Sequence, residues 1–164
     1  MTHMLTFSRN RCTGVEQVDD QTIRSYCRLQ DTLTDAYVEI TARLPDLDIT
    51  GVKGEIQRGY RETPEPDEFL QKVIGVRIGP GMLEIIKGLL GDSPDYEELG
   101  FMVEECCHGV ILSLTKGTLL RAPRNTEDRT EFFSAMVKEN IRLYNRCAAF
   151  APGSLLVEGI TPPE

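Results

Sequence analysis

Tryptophan is absent from the sequence, histidine occurs only twice, and no long apolar run is present. Every apolar stretch falls short of the ~18 residues that cross a bilayer as a helix, so we expect no membrane span. The first residues also lack the continuous apolar segment of a secretory signal. We therefore predict a cytoplasmic protein.

Positive charge is scarce as well. The 164 residues contain 18 Lys and Arg against 26 Asp and Glu, which gives a formal net charge of -8. Duplex nucleic acids attract proteins mainly because Lys and Arg neutralise their phosphates. The charge balance therefore argues against a nucleic-acid partner.

Cysteine occurs as an odd set of five, namely Cys12, Cys27, Cys106, Cys107 and Cys147. Without an export signal such a set does not suggest a disulfide framework, and we expect reduced thiols. A content of 40% hydrophobic and 27% charged residues is typical of a globular chain. We predict a single domain over residues 1–164, with a core spanning about residues 21–151 and loosely held termini.

The first part of the chain has the period-two pattern of half-buried strands. Apolar and polar residues alternate over residues 23–30 and 36–44, and more weakly over residues 52–57. The turns between these runs are short, which favours an antiparallel meander.

After Arg61 the apolar residues recur at every third or fourth place, as on helices. Helices are predicted from a start at Pro64 or Pro66 to Ile74, over residues 82–90, from Ser93 to Leu114, and from a cap at residues 126–128 to an end at Pro152-Gly153, with Cys147 on the apolar side of the last one. Strands followed by helices indicate an α+β fold, with a small antiparallel sheet of three or more strands packed against about four C-terminal helices. Exposed edges of so small a sheet make a homo-oligomer a reasonable expectation.

Two segments have the composition of an anion site. The corner containing Arg77, Gly79 and Gly81 precedes a helix, where backbone amides can converge on a negative group. Arg121 and Arg124 lie in a predicted basic loop, residues 116–124, and can clamp a carboxylate or phosphate. The alternative is a tight corner between packed helices and a solvated loop.

A second candidate is a metal or thiol site on the third helix. Helical spacing brings Glu105 and His108 to one face, and Cys106 adds a thiolate ligand suited to zinc or iron. Cys147 completes the set if the last two helices are neighbours. The alternative is that the cysteines are small core residues, since unpaired cysteine is among the most buried residue types.

The segment Val73–Gly81, followed by a helix and then by Cys106–His108, resembles a bacterial family catalogued as domain of unknown function number 2889. Leu33–Asp35 is similar to the end of a strand in that family, and the likeness covers about residues 23–115. The chain departs from the family pattern in having Glu105 in place of a glycine. The resemblance implies that Gly81, Cys106 and His108 are positions of interest, and it implies no reaction.

Three functions follow from these patterns. The first is a small-molecule binding domain, in which a pocket between sheet and helices takes an apolar or anionic ligand. The second is a metal- or thiol-dependent enzyme using the Cys/His/Glu cluster. The third is a structural or interaction protein without a small-molecule site. The sequence does not decide whether the protein is an enzyme.

Overall fold

The computed structural model describes residues 4–59, 66–91, 97–124, 129–145 and 147–161, without the side chains of residues 118 and 142. The chain separates into two compact units. The first consists of Met1–Ile78 with Met82–Leu112, and the second of Gly79–Gly81 with Ser113–Glu164. That residues 1–164 form a single domain remains a prediction.

Four strands form one antiparallel sheet in the order β1-β2-β3-β4. They are β1 (Arg9–Asp19), β2 (Thr22–Asp31), β3 (Asp35–Arg43) and β4 (Asp48–Arg58). The three predicted strands are confirmed as β2, β3 and β4, and so is the meander. With four α-helices following the sheet among the described residues, the α+β class is confirmed.

Strand β1 was not predicted from the sequence. Every residue of β1 is exposed except Gly14 and Val15, which are partly shielded. An edge strand with so little buried surface has no reason to alternate apolar and polar side chains, and the period-two signal is missing for that reason.

The helices are α1 (Pro66–Leu70), α2 (Met82–Leu90), α3 (Glu97–Leu120) and α4 (Thr130–Glu139). Helix α1 was predicted to reach Ile74, which is wrong. A 3-10 turn follows it, and Gly75 has a φ of 88°, in the left-handed region where a right-handed helix cannot continue.

The ends of the last two helices also differ from the prediction. The predicted starts at Pro64, at Ser93 and at residues 126–128 lie outside the described residues. Helix α3 continues to Leu120, so Lys116 is helical and does not belong to a loop. Helix α4 ends at Glu139 because Asn140 has non-helical angles, φ -128° and ψ 79°. Cys147 is therefore not on this helix and is exposed.

The core of the first unit lies between the inner face of the sheet and α3. Val38 and Ile40 of β3 are fully buried, as predicted. The helical period predicts a buried stripe on α3 that runs from Leu99 to Leu114. Its residues are buried as far as Ile111, whereas Leu114 is 39% exposed, so including Leu114 is wrong. Among the described residues, no helix combines the length and the apolarity needed to cross a membrane.

Helix α3 approaches the sheet closely at Gly109. A Cβ atom at this position would lie 3.1 Å from methyl carbons of Thr13 and Val15 and 3.2 Å from the Ser25 hydroxyl oxygen. Glycine inside a helix costs about 1 kcal/mol relative to alanine. Close packing against two strands compensates for that cost here.

The turn between β2 and β3 is held by one carboxylate. Asp31 Oδ1 accepts hydrogen bonds from the amides of Leu33 (2.8 Å) and Thr34 (2.6 Å), and Oδ2 lies 2.8 Å from an Arg9 guanidinium nitrogen. Burial by itself raises the pKa of Asp31. The two amides and Arg9 outweigh it and hold the pKa below its ordinary value of 3.8.

Replacing Gly109 with alanine is expected to lower the free energy of unfolding by about 1–2 kcal/mol, because the added methyl group forces α3 away from β1 and β2. Gly88 in α2 has no atom within 4 Å of an added Cβ. Gly88→Ala is therefore the matched control and is expected to stabilise by up to about 1 kcal/mol. Urea unfolding measures both values, and a stabilising Gly109→Ala would contradict the close approach.

The lowered pKa of Asp31 predicts a pH dependence. Since the folded state prefers the charged carboxylate, its contribution is complete above the ordinary pKa and disappears as the pH falls through the lower pKa of the folded protein. Asp31→Asn is expected to lose about 1–3 kcal/mol at neutral pH and less in acid. Denaturant unfolding between about pH 2 and pH 7 measures this difference, with exposed Asp20→Asn as the control.

Candidate binding site

The outer face of the sheet, opposite α3, carries polar and aromatic side chains. Tyr26 of β2 and Tyr37 of β3 stack with their ring centroids 6.1 Å apart and an angle of 23° between the planes. Gly14 of β1 lies directly opposite Tyr26 in the strand register. A methyl group at Gly14 would overlap the Tyr26 ring. Glycine at this place therefore lets the ring lie across β1.

A depression with a volume of about 210 Å³ lies beside this pair of rings. It is lined by Arg28, Asp35, Ala36, Tyr37, Glu55 and Gln57. In the register, Tyr37 stands between Arg28 of β2 and Glu55 of β4. The depression is thus built on three adjacent strands, whose hydrogen bonding fixes the spacing of its side chains.

The charges around the depression do not balance. An Arg28 guanidinium nitrogen lies 3.3 Å from each carboxylate oxygen of Asp35, and the Gln30 amide donates to the same carboxylate at 3.2 Å. Glu55 is exposed, and no ion pair joins it to another residue in the described part of the chain. The Arg28 charge is thus offset by Asp35, whereas the Glu55 charge is not.

The hydroxyl group of Tyr37 is already engaged. It donates a hydrogen bond to Glu39 Oε2 at 2.8 Å, and Glu39 Oε1 lies 3.9 Å from the Arg24 guanidinium. Burial and then this bond to Glu39 raise the pKa of Tyr37 well above its ordinary value, so the hydroxyl stays protonated. Tyr37 therefore offers a ligand its ring, whose orientation the Glu39 bond helps to fix.

The inner face of the sheet is occupied by the core. Cys27, Val38 and Ile40 are fully buried there, and Cys106 of α3 donates a weak hydrogen bond from Sγ to the Val38 carbonyl oxygen at 3.7 Å. The sequence placed a ligand pocket between sheet and helices. The depression lined by Arg28 and Glu55 lies on the opposite face.

The five residues predicted to bind an anion fall into both compact units. Arg77 belongs to the first, where its Nε lies 3.1 Å from Asp48 Oδ1. The second contains the other four, Gly79, Gly81, Arg121 and Arg124. Arg121 and Arg124 are exposed, and Arg129 donates to the Arg124 carbonyl oxygen at 3.2 Å. Their convergence on one ligand stays a prediction.

The predicted metal ligands gain no support from the geometry. Glu105 and His108 are partly exposed and Cys106 is fully buried, while exposed Cys147 belongs to the second unit. Among the described residues, no three His, Cys, Asp or Glu side chains lie close enough together to share a metal ion. The packing of Cys106 matches the alternative interpretation, a small core residue.

The buried thiols are also poorly suited to chemistry. Burial raises the pKa of Cys27, and burial followed by the neighbouring Cys27 and Cys107 raises the pKa of Cys106 well above the ordinary value. None of the five cysteines, all of which are described, is in a disulfide. Because the thiolate is the reactive form, Cys27 and Cys106 are expected to be inert in the folded protein.

Comparisons of the chain with protein-family models, with curated proteins and with solved structures found no match. The resemblance to domain-of-unknown-function family number 2889 therefore stays a prediction.

Sequence reasoning did not select Arg28, Tyr37 or Glu55 as site residues. The sequence signal that could identify these three residues is their place at the polar positions of alternating strands, which assigns them to the solvent side of the sheet. Finding that they meet also requires the strand register, and the register includes irregularities in the pairing of β3 with β4. Periodicity alone does not give that information.

The burial of the thiols predicts a labelling pattern. Iodoacetamide is expected to modify Cys12 and Cys147, which are exposed, and to leave Cys27, Cys106 and Cys107 unmodified until the protein unfolds. Mass spectrometry of peptides from native and urea-treated protein measures this pattern. Labelling of Cys106 in the native protein at the rate of Cys12 would contradict its place in the core.

Proposed function

We propose that this protein is a small-molecule binding domain whose ligand is a small organic cation held in the depression on the outer face of the sheet. The observation that carries the proposal is the position of Tyr37 in the strand register, between Arg28 of β2 and Glu55 of β4, where all three residues line the depression. A cation is attracted both by the face of an aromatic ring and by an uncompensated carboxylate.

The size of the depression limits the ligand. Pockets for drug-sized molecules are typically about 300–1,000 Å³. A volume of about 210 Å³ suits a molecule no larger than a simple amine or an amino acid. This ligand class replaces the apolar or anionic ligand expected from the sequence, because the lining contains two carboxylates and only one cation.

No reaction is proposed at this depression. Tyr37 keeps its proton, and the Arg28–Asp35 pair supplies a fixed charge arrangement. We place the binding in the cytoplasm, as the sequence predicts, where the thiols stay reduced.

Binding of organic cations is tested by thermal unfolding and by isothermal titration calorimetry with choline, ethanolamine and putrescine. At least one of these is expected to raise the melting temperature, and Glu55→Gln is expected to weaken its affinity about five- to tenfold. Tyr37→Leu removes the ring and should abolish binding. Tyr37→Phe keeps the ring and should retain most of it.

Two controls make the test specific. Glu84→Gln removes the same charge from an exposed position on α2 and is expected to leave the affinity unchanged. Acetate, citrate and inorganic phosphate should not bind at the depression. A protein stabilised by these anions and by none of the three cations would refute the proposal and favour the glycine corner and the basic arginines instead.

A further inference from the structure

Arg28 and Tyr37 lie directly opposite each other on β2 and β3, and both line the depression on the outer face. The Cβ atoms of such neighbours are about 4.5–5.5 Å apart, and an arginine beside a tyrosine commonly stacks on its ring. Among the described residues, the cations that lie over aromatic rings are Arg9, Arg11 and Lys72, so Arg28 is not one of them. A contact elsewhere therefore keeps Arg28 away from the Tyr37 ring.

Two carboxylates on β3 draw the two side chains in opposite directions. Asp35 and Glu39 come two residues before and two residues after Tyr37, so all three lie on the same face of the strand. The Arg28 Nη2 atom lies 3.3 Å from both carboxylate oxygens of Asp35, whereas the Tyr37 hydroxyl donates to Glu39. Arg28 therefore leans toward the start of β3 and Tyr37 toward its end. Their separation contributes to the volume of the depression.

Asp35 is the fixed end of its contact with Arg28. The Asp35 side chain is 13% exposed, against 51% for that of Arg28. Gln30, which lies opposite Asp35 on β2, also donates to Asp35 Oδ2 at 3.2 Å. The contacts of Arg28 are long in comparison with charge-assisted hydrogen bonds, which measure about 2.7–2.9 Å. Loss of the Asp35 carboxylate would leave the Arg28 guanidinium with no other partner in the described part of the chain.

A released Arg28 has the chemistry of the proposed ligand. Its guanidinium is an organic cation, which an aromatic ring and an uncompensated carboxylate both attract. Tyr37 is one strand away and Glu55 is two strands away, which is about 10 Å between the backbones of β2 and β4. The long side chains of Arg28 and Glu55 can meet across this distance. Because Arg28 is attached to the sheet, it would compete with a free ligand at a high effective concentration.

We infer that Asp35 is a positioning residue, which keeps the depression open by holding Arg28 away from Tyr37 and Glu55. This role rests on the proposed function, since it assumes that the depression binds a cation. The apparent affinity of a ligand falls with the fraction of molecules whose site is open. In the wild-type chain Arg28 is engaged by Asp35, and the open fraction is high.

Isothermal titration calorimetry with choline, ethanolamine and putrescine measures this role in a double-mutant cycle. Asp35→Ala is expected to weaken the affinity about five- to tenfold, because Arg28 then fills the site in most molecules. When Asp35→Ala is added to Arg28→Gln, the loss is expected to be less than about twofold, because the competing cation is absent.

The cycle distinguishes release of Arg28 from the simple loss of a negative charge at Asp35. Loss of charge alone weakens cation binding by the same factor whether Arg28 is present or not. Asp20→Asn removes a charge from the turn between β1 and β2 and should leave the affinity unchanged. Circular dichroism shows that each variant is folded.

Nuclear magnetic resonance locates Arg28 without any ligand. The δ-methylene protons of Arg28 are expected to shift upfield in Asp35→Ala, because they then lie over the Tyr37 ring, and to return when Tyr37→Leu is added. A wild-type chain that binds none of the three cations would refute the proposed function, and the Arg28 resonances would still decide where Asp35 holds the side chain. Wild-type affinity in Asp35→Ala, an equal loss in both backgrounds, or unshifted Arg28 protons would each overturn the role of Asp35.

Discussion

The close contact between α3 and the sheet at Gly109 determines how the first unit is organised. Because no side chain intervenes, the helix lies directly on β1 and β2, and the Cys106 thiol reaches the backbone of β3. This contact buries the apolar side chains of the strands on one face of the sheet. The polar side chains of the strands are therefore on the outer face. Every candidate interaction of the outer face follows from this separation of polar and apolar side chains.

The same division explains why the two groups of reactive residues differ. Cysteine on the inner face is a compact apolar side chain, and its burial suppresses ionisation. Tyrosine, arginine and carboxylates on the outer face keep their polar ends near water. A cluster of reactive residue types in the sequence is therefore a weaker guide to a site than the face of the sheet on which the residues lie.

The sequence predicted those parts of the fold whose burial is one-sided. Strand β3 alternates because one face contacts the core, and its inward residues, such as Val38, could be named in advance. Strand β1 could not be found, since it buries almost nothing. The helical path after α1 stops at Ile74, whose ψ is 132°, and α4 stops at Asn140, and only the tertiary structure determines these backbone angles.

The candidate site was less predictable than the fold because its residues are far apart in the chain. Arg28 and Glu55 come together only through the register of β2, β3 and β4. The Cys106 and His108 cluster, in contrast, is conspicuous because its members are adjacent. Adjacency along a helix directs side chains to different sides, and Cys106 accordingly faces the core while His108 remains partly exposed.

At the edge strand β4, the Gly54 amide donates to Asp67 Oδ1 at 2.7 Å and the Gln71 side chain donates to the Val52 carbonyl oxygen at 3.4 Å. These bonds have a consequence for growth of the sheet by strand addition. A sheet with two available edges can recruit further molecules at each end and extend without limit, which is the route to fibres. Here α1 and the turn after it bond to the β4 edge, so strand addition at that end is obstructed. Loss of the Asp67 side chain would thus remove a hydrogen bond and also the group that obstructs strand addition at this edge.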